Sequence, residues 1–170
     1  MTHSILTIAL LSAGISLAHA HDHSSHGGAG HGHHAAPAVH TPDTAPEGVR
    51  VEDCWIRSMP AQLPSGGYFM VHNAGKQPVT LTGVESPAYG ATMLHQTVTR
   101  DGMSRMEHTD QVVVAPGGEL AFKPGGYHMM LEQPTRELEP GQSVDVTFLF
   151  GTAGRLTANC ELRTAAGQRK

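Results

Sequence analysis

Beyond residue 48, glycine, proline and Asp-Gly breaks recur so closely that no long helix has room to form. Between the breaks lie short runs rich in β-branched and aromatic residues: VRVEDCWI, GGYFMVHN, PVTLTGVES, TMLHQTVT, MSRMEHT, QVVVAP, ELAFKP, YHMMLE, SVDVTFLF and RLTANCEL. Each reads as a strand or part of one, and strands at this density predict an all-β sandwich or barrel. No stretch carries a sustained helical apolar period, and no internal repeat is visible. The strand-rich segment, residues 49–163, is about 120 residues long, near the modal domain size and long enough to bury a sizeable core. Residues 164–170 read as a short C-terminal tail. Trp55, Phe148 and Phe150 are the expected aromatic core, the last two on one face by alternation.

Four side chains within this β-rich segment suggest a chemistry. His95, Met106, His128 and Met130 follow one another with gaps of ten, twenty-one and one residue. Two imidazoles and two thioethers form a soft, uncharged donor set, which favours Cu(I) over cations that want carboxylate oxygens. His128 and Met130 are two apart in GGYHMML, so a strand there puts both on one face and turns Met129 and Leu131 to the other, towards the core. His95 and Met106 flank Asp101-Gly102, a strong hairpin-turn signal. With those two residues as the loop, Arg100 opposes Met103, His95 faces His108 and Thr97 faces Met106. His95 and Met106 become diagonal neighbours within reach of each other. Local geometry therefore gives two His–Met pincers, but it does not say whether they meet.

Each residue also has an ordinary reading. A single Met is more often core filler, and a single His is more often a surface or hydrogen-bonded residue. The set is more informative than its members, because both pairs place a His and a Met on the same strand face. His108, directly across from His95, is a fifth candidate, either as a ligand or as a residue that orients one. Met93 and Met103 read as packing or a sulfur-rich rim. Met70 and His72 form another same-face pair, to which no metal role is assigned.

The pattern His95-x10-Met106-x21-His128-x-Met130 resembles that of the periplasmic copper chaperones called PCu(A)C. The resemblance extends from about Val49 to about Leu162 and takes in CWIR, GGYFMVHN, the DGM hairpin, PGG and PGGYHMML. It implies a cupredoxin-like (Ig-like) β-sandwich that binds Cu(I) near its surface. It also implies delivery of copper towards the CuA centre of cytochrome c oxidase, through subunit II or another copper chaperone. The two cysteines and the His-rich leader are additions to that pattern.

The N-terminus predicts export. Ile5 to Leu17 is apolar and is followed by Ala18-His19-Ala20, which reads as a signal-peptide h-region with an A-x-A cleavage site over residues 1–20. The run is too short to span a membrane, and its n-region has no Lys or Arg. No lipobox cysteine precedes the cleavage site, so a soluble periplasmic product without a membrane span is expected. Cleavage after Ala20 would expose His21-Asp22-His23, a terminus able to wrap Cu(II) in nitrogen donors. His26, His31, His33, His34 and His40 follow, spaced by Gly, Ser and Ala. Such a tract cannot form a packed core; it reads as a metal-binding tail for Cu(II) or Zn(II), or as a solubilising linker. Pro42, Pro46 and Gly48 close this tail and linker, residues 21–48.

Charge and cysteine usage narrow the remaining classes. Beyond residue 48 the chain carries twelve acidic and eleven basic residues, with no basic stripe to suit nucleic acid. Cys54 and Cys160 are the only cysteines. In an exported protein they read as a disulfide, geometrically feasible if the first and last strands are neighbours; the alternative is two free thiols that help bind copper. Blue-copper electron transfer needs a Cys beside two His, and none lies among the candidates. No G-x-S-x-G, H-E-x-x-H or phosphate loop points to an enzyme. A copper chaperone and a copper buffer for metal resistance share the same site, and differ in whether a specific acceptor exists.

Overall fold

The computed structural model describes residues 42–166. The strands are β1 (Val49–Arg57), β2 (Ser65–Asn73), β3 (Val79–Leu81), β4 (Gly83–Glu85), β5 (Tyr89–Arg100), β6 (Met103–His108), β7 (Val112–Val114), β8 (Gly118–Phe122), β9 (Tyr127–Pro134), β10 (Ser143–Leu149) and β11 (Arg155–Arg163). A single 3-10 turn, Gly151–Ala153, is the only helical element among the described residues. The all-β expectation holds, and it holds because breaks interrupt every run before a helical period can build.

The main sheet has the order β4-β10-β11-β1-β2-β9-β5-β6, with β8 also on β2, and β3 and β7 form a separate two-stranded sheet. The sheet is mixed, because β1 and β11 run parallel while the other pairs are antiparallel. β2 changes partner along its length. Ser65–Gly67 pair with Leu131–Met129 of β9, and Phe69–Asn73 pair with Phe122–Gly118 of β8. This change curls the sheet over one core. Phe69 of β2 stacks on Phe122 of β8 at 4.1 Å and meets Phe148 of β10 edge-on at 4.6 Å. Alternation fills the interior: Val144, Val146 and Phe148 from β10, Met129 and Leu131 from β9, Val71 from β2. Phe150 joins them, as expected. Gly67 is required where β2 crosses β9, since a Cβ there would overlap the fully buried side chain of Met129.

Two details depart from strict alternation. A bulge between Glu52 and Trp55, with Asp53 at φ 52°, shifts the register of β1 by one residue. Ile56 then enters the core, and Trp55 turns outward. Trp55 is half-buried against Tyr68, with ring centroids 4.5 Å apart, and the Arg163 guanidinium lies over its ring at 5.0 Å. The expectation of a core Trp55 is therefore corrected by the bulge. The run PVTLTGVES is two strands rather than one. At Thr82 the chain leaves the small sheet and joins the large one, and its N–H donates to the Leu149 carbonyl at 2.8 Å.

The parallel pairing of β1 with β11 places Trp55 beside Glu161. One residue earlier in each strand, Cys54 and Cys160 are joined by a disulfide, with Cα atoms 4.6 Å apart. The two thiols are thus committed to each other, at the meeting of the first and last strands.

Candidate metal centre

The hairpin β5–β6 has the register that its turn dictates. Asp101 and Gly102 both have positive φ, 52° and 75°, as a tight primed turn requires. Arg100 then pairs with Met103, Thr97 with Met106 and His95 with His108. On the other side of β5, β9 pairs so that Met130 faces Met93 and His128 faces His95. This second pairing brings the two pincers together, and nothing local in the sequence specifies it. His95 is flanked in one cross-strand row by His108, with centroids 5.7 Å apart, and by His128 at 5.8 Å.

The sulfurs border the same place. Met106, His128 and Met130 line one open cavity of about 280 Å³, together with Arg57, Met59 and Tyr68. His95 adjoins it through the His128 ring. His128 is buried, at 7 % exposure, whereas Met106 is 62 % exposed. The cavity therefore has a nitrogen floor and a sulfur rim open to solvent. Among the described residues, no three His, Cys, Asp or Glu side chains are placed to hold an ion. Any site here is completed by the thioethers.

The imidazoles differ in what holds their ring nitrogens. His128 Nδ1 lies 3.0 Å from the Gly126 carbonyl oxygen. A carbonyl only accepts, so Nδ1 carries a proton and Nε2 is the nitrogen left for a metal. Burial holds the His95 pKa below the ordinary histidine value, and the neighbouring His128 and His108 act in the same direction. Its Nδ1 is buried with no hydrogen-bond partner. A buried ring nitrogen without a partner is costly in an apolar setting, and in the tautomer that leaves its lone pair free a metal ion would satisfy it. His108 is placed differently: its Nε2 meets Asp110 Oδ1 at 3.1 Å.

The remaining sequence candidates sort clearly. Met93 sits beside Met130, while Met103 is exposed at the hairpin end. His72 of the Met70–His72 pair lies between two carboxylates, 3.1 Å from Glu52 and 3.2 Å from Glu119. His21, His23, His26, His31, His33, His34 and His40 lie outside the described residues. Met59 was missed: it belongs to no strand, so no periodicity marks it, and only the folding of the β1–β2 loop carries it to the cavity.

Comparison with known proteins places these observations. Residues 49–162 match the family model described as "LpqE-like: Putative lipoprotein LpqE-like". "Putative lipoprotein Lxx21020" of Leifsonia xyli subsp. xyli is 30 % identical over 118 residues, covering 69 % of this chain and 70 % of that protein. Among solved structures, the copper-bound PCuAC domain from PmoF2 superposes with a TM-score of 0.59 at 21 % identity, covering 72 % of this chain and 97 % of that one. The Cu(I) form of DR1885 from Deinococcus radiodurans has a TM-score of 0.53 at 27 % identity, covering 66 % and 76 %. The chain belongs to the LpqE-like family, and its β-sandwich is the fold of the PCuAC copper-chaperone domains.

Proposed function

We propose that this domain holds Cu(I) through His95, Met106, His128 and Met130 and passes it on in the periplasm, towards the CuA site of cytochrome c oxidase. The acceptor in this reading is oxidase subunit II or another copper chaperone. The observation that carries it is the pairing of β9 with β5, which sets His128 against His95 while Met106 and Met130 border the same cavity. Four neutral donors at a surface suit a cargo ion, because each can be replaced in turn by a donor from an acceptor. No carboxylate or thiolate holds the ion by charge, and the two cysteines are already bonded to each other. The structural likeness to domains solved with copper, one of them as Cu(I), supports the same reading.

A transfer assay tests delivery. Full-length chain loaded with Cu(I) should metallate an apo CuA domain faster than exchange through free chelator permits. The His-rich segment favours a second reading, a periplasmic copper buffer or resistance protein, and transfer no faster than chelator exchange would leave that one standing. In the same reading the tail gathers Cu(II) or Zn(II). Deleting residues 21–40 should abolish Cu(II) uptake without changing Cu(I) transfer, and unchanged Cu(II) stoichiometry would refute the tail's role.

The histidines give the site a pH dependence. Metal binding needs neutral imidazole. His95 has a lowered pKa, so protons compete for it only below the ordinary histidine range of about 6.5. Cu(I) affinity should be flat above about pH 7 and should weaken at lower pH, as His95 protonates below the ordinary histidine range of about 6.5. The folded apo state responds with the same sign, losing stability as pH falls through the lowered His95 value. Competition titrations with a Cu(I) chelator between about pH 5 and 8 check this. An affinity that stays constant over that span would argue against histidine ligation.

A further inference from the structure

The row His108–His95–His128 runs from the surface inwards. The His108 side chain is 58 % exposed, His95 is half-buried and His128 is 7 % exposed. Each outer strand brings an imidazole and a thioether to the face of β5: β9 offers His128 and Met130, and β6 offers Met106 and His108. In both strands the two residues are separated by one position, so they share a face. His95 is common to both sides, at nearly equal centroid distances of 5.7 and 5.8 Å.

Because β6 and β9 flank β5 on opposite sides, the outer rings do not converge on one point. Accordingly, no group of three His, Cys, Asp or Glu among the described residues is placed to hold a single ion. An ion can use His95 with His128, or His95 with His108. With metal–nitrogen bonds of about 2 Å, ring centroids nearly 6 Å apart leave room for one ion between two imidazoles at a wide angle, which low-coordinate Cu(I) accepts.

The His108 ring is held by Asp110. Its Nε2–H donates to Asp110 Oδ1 at 3.1 Å, and Asp110 is itself 93 % exposed. A carboxylate on one ring nitrogen fixes the tautomer and makes the other a better donor, so Nδ1 carries the free lone pair. The buried Nδ1 of His95 has no hydrogen-bond partner to compete with a metal.

We propose that His108 is an exit ligand. Resting on the Cu(I) reading above, copper leaves the inner site by exchanging its bond to His128 for one to His108 while it stays attached to His95. One copper–nitrogen bond forms as another breaks. The ion remains monovalent, and in the Nε2–H tautomer that the Asp110 contact selects, the copper bond forms at Nδ1 with no proton transferred. At the outer station Met106, 62 % exposed, supplies sulfur from the same strand. There an imidazole or thiolate from an acceptor reaches the ion without entering the cavity.

The experiment compares equilibrium with rate in the full-length chain. Cu(I) affinity is measured by competition with bicinchoninate, and transfer to excess bicinchoninate is followed by stopped flow. His108→Ala should leave the affinity within about twofold and slow transfer about tenfold. Asp110→Asn should slow it in the same direction by less, because the ring remains but loses its orientation. An unchanged rate in His108→Ala would overturn the proposal. A tenfold loss of affinity in that variant would also overturn it, making His108 a resident ligand. His95→Ala separates the two levels of inference. If it keeps wild-type Cu(I) affinity, the underlying site is wrong; if it loses Cu(I) while His108→Ala transfers normally, only the exit route fails.

Discussion

Met130→Leu should weaken Cu(I) binding by about 10- to 100-fold, or about 1.4–2.8 kcal/mol, while Zn(II) affinity barely changes. Leucine nearly conserves the volume of methionine and costs little in packing, so the substitution removes a sulfur donor and little else. A thioether matters to soft Cu(I) far more than to Zn(II), which is satisfied by imidazole and water. Met106→Leu should act in the same direction but less, because Met106 is largely exposed whereas Met130 is half-buried beside Met93. Parallel titrations with the two metals decide the matter. Equal losses for Cu(I) and Zn(II) would mean that the site is not selective for the soft ion.

Removing the disulfide should produce the largest change in stability. Cys54 and Cys160 close a loop of 106 residues between β1 and β11. On the chain-entropy model a loop of that length contributes about 4–5 kcal/mol by restricting the unfolded chain. For a domain of this size that corresponds to a fall in Tm of roughly 15–25 °C. The paired substitution Cys54→Ala with Cys160→Ala avoids leaving a free thiol in the core, where Cys160 is fully buried. Thermal unfolding of the paired variant reads the effect, and a loss below about 1 kcal/mol would show that the unfolded chain gains little freedom. Cu(I) affinity should survive, because neither cysteine lines the cavity and β2 and β9 lie between β1 and β5; a large loss would bring the cysteines back as copper donors.

How the site assembles explains which parts of it were legible in the residues. The β5–β6 hairpin was readable to the residue, because Asp-Gly demands positive φ at both loop positions and the pairing then follows by counting. The shared face of His128 and Met130, with Met129 and Leu131 in the core, followed from strand alternation alone. Alternation failed at Trp55, because the bulge at Asp53 inserts a residue that no composition rule flags. It failed again at Thr82, where an unbroken β-like run divides between two sheets. Met59 carried no periodic signal, and its place in the cavity comes from the path of a loop.

By itself, the sequence determined the kind of domain and which His and Met side chains share a strand face. Turn residues and alternation act over a few positions, so strand content, hairpin register and two same-face His–Met pairs are written locally. Only the tertiary structure decided that the pincers meet. That outcome depends on β9 lying between β2 and β5, a pairing between distant segments set by how the whole core packs. The same long-range packing placed Cys54 beside Cys160 and ranged three imidazoles in a row from the interior to the surface.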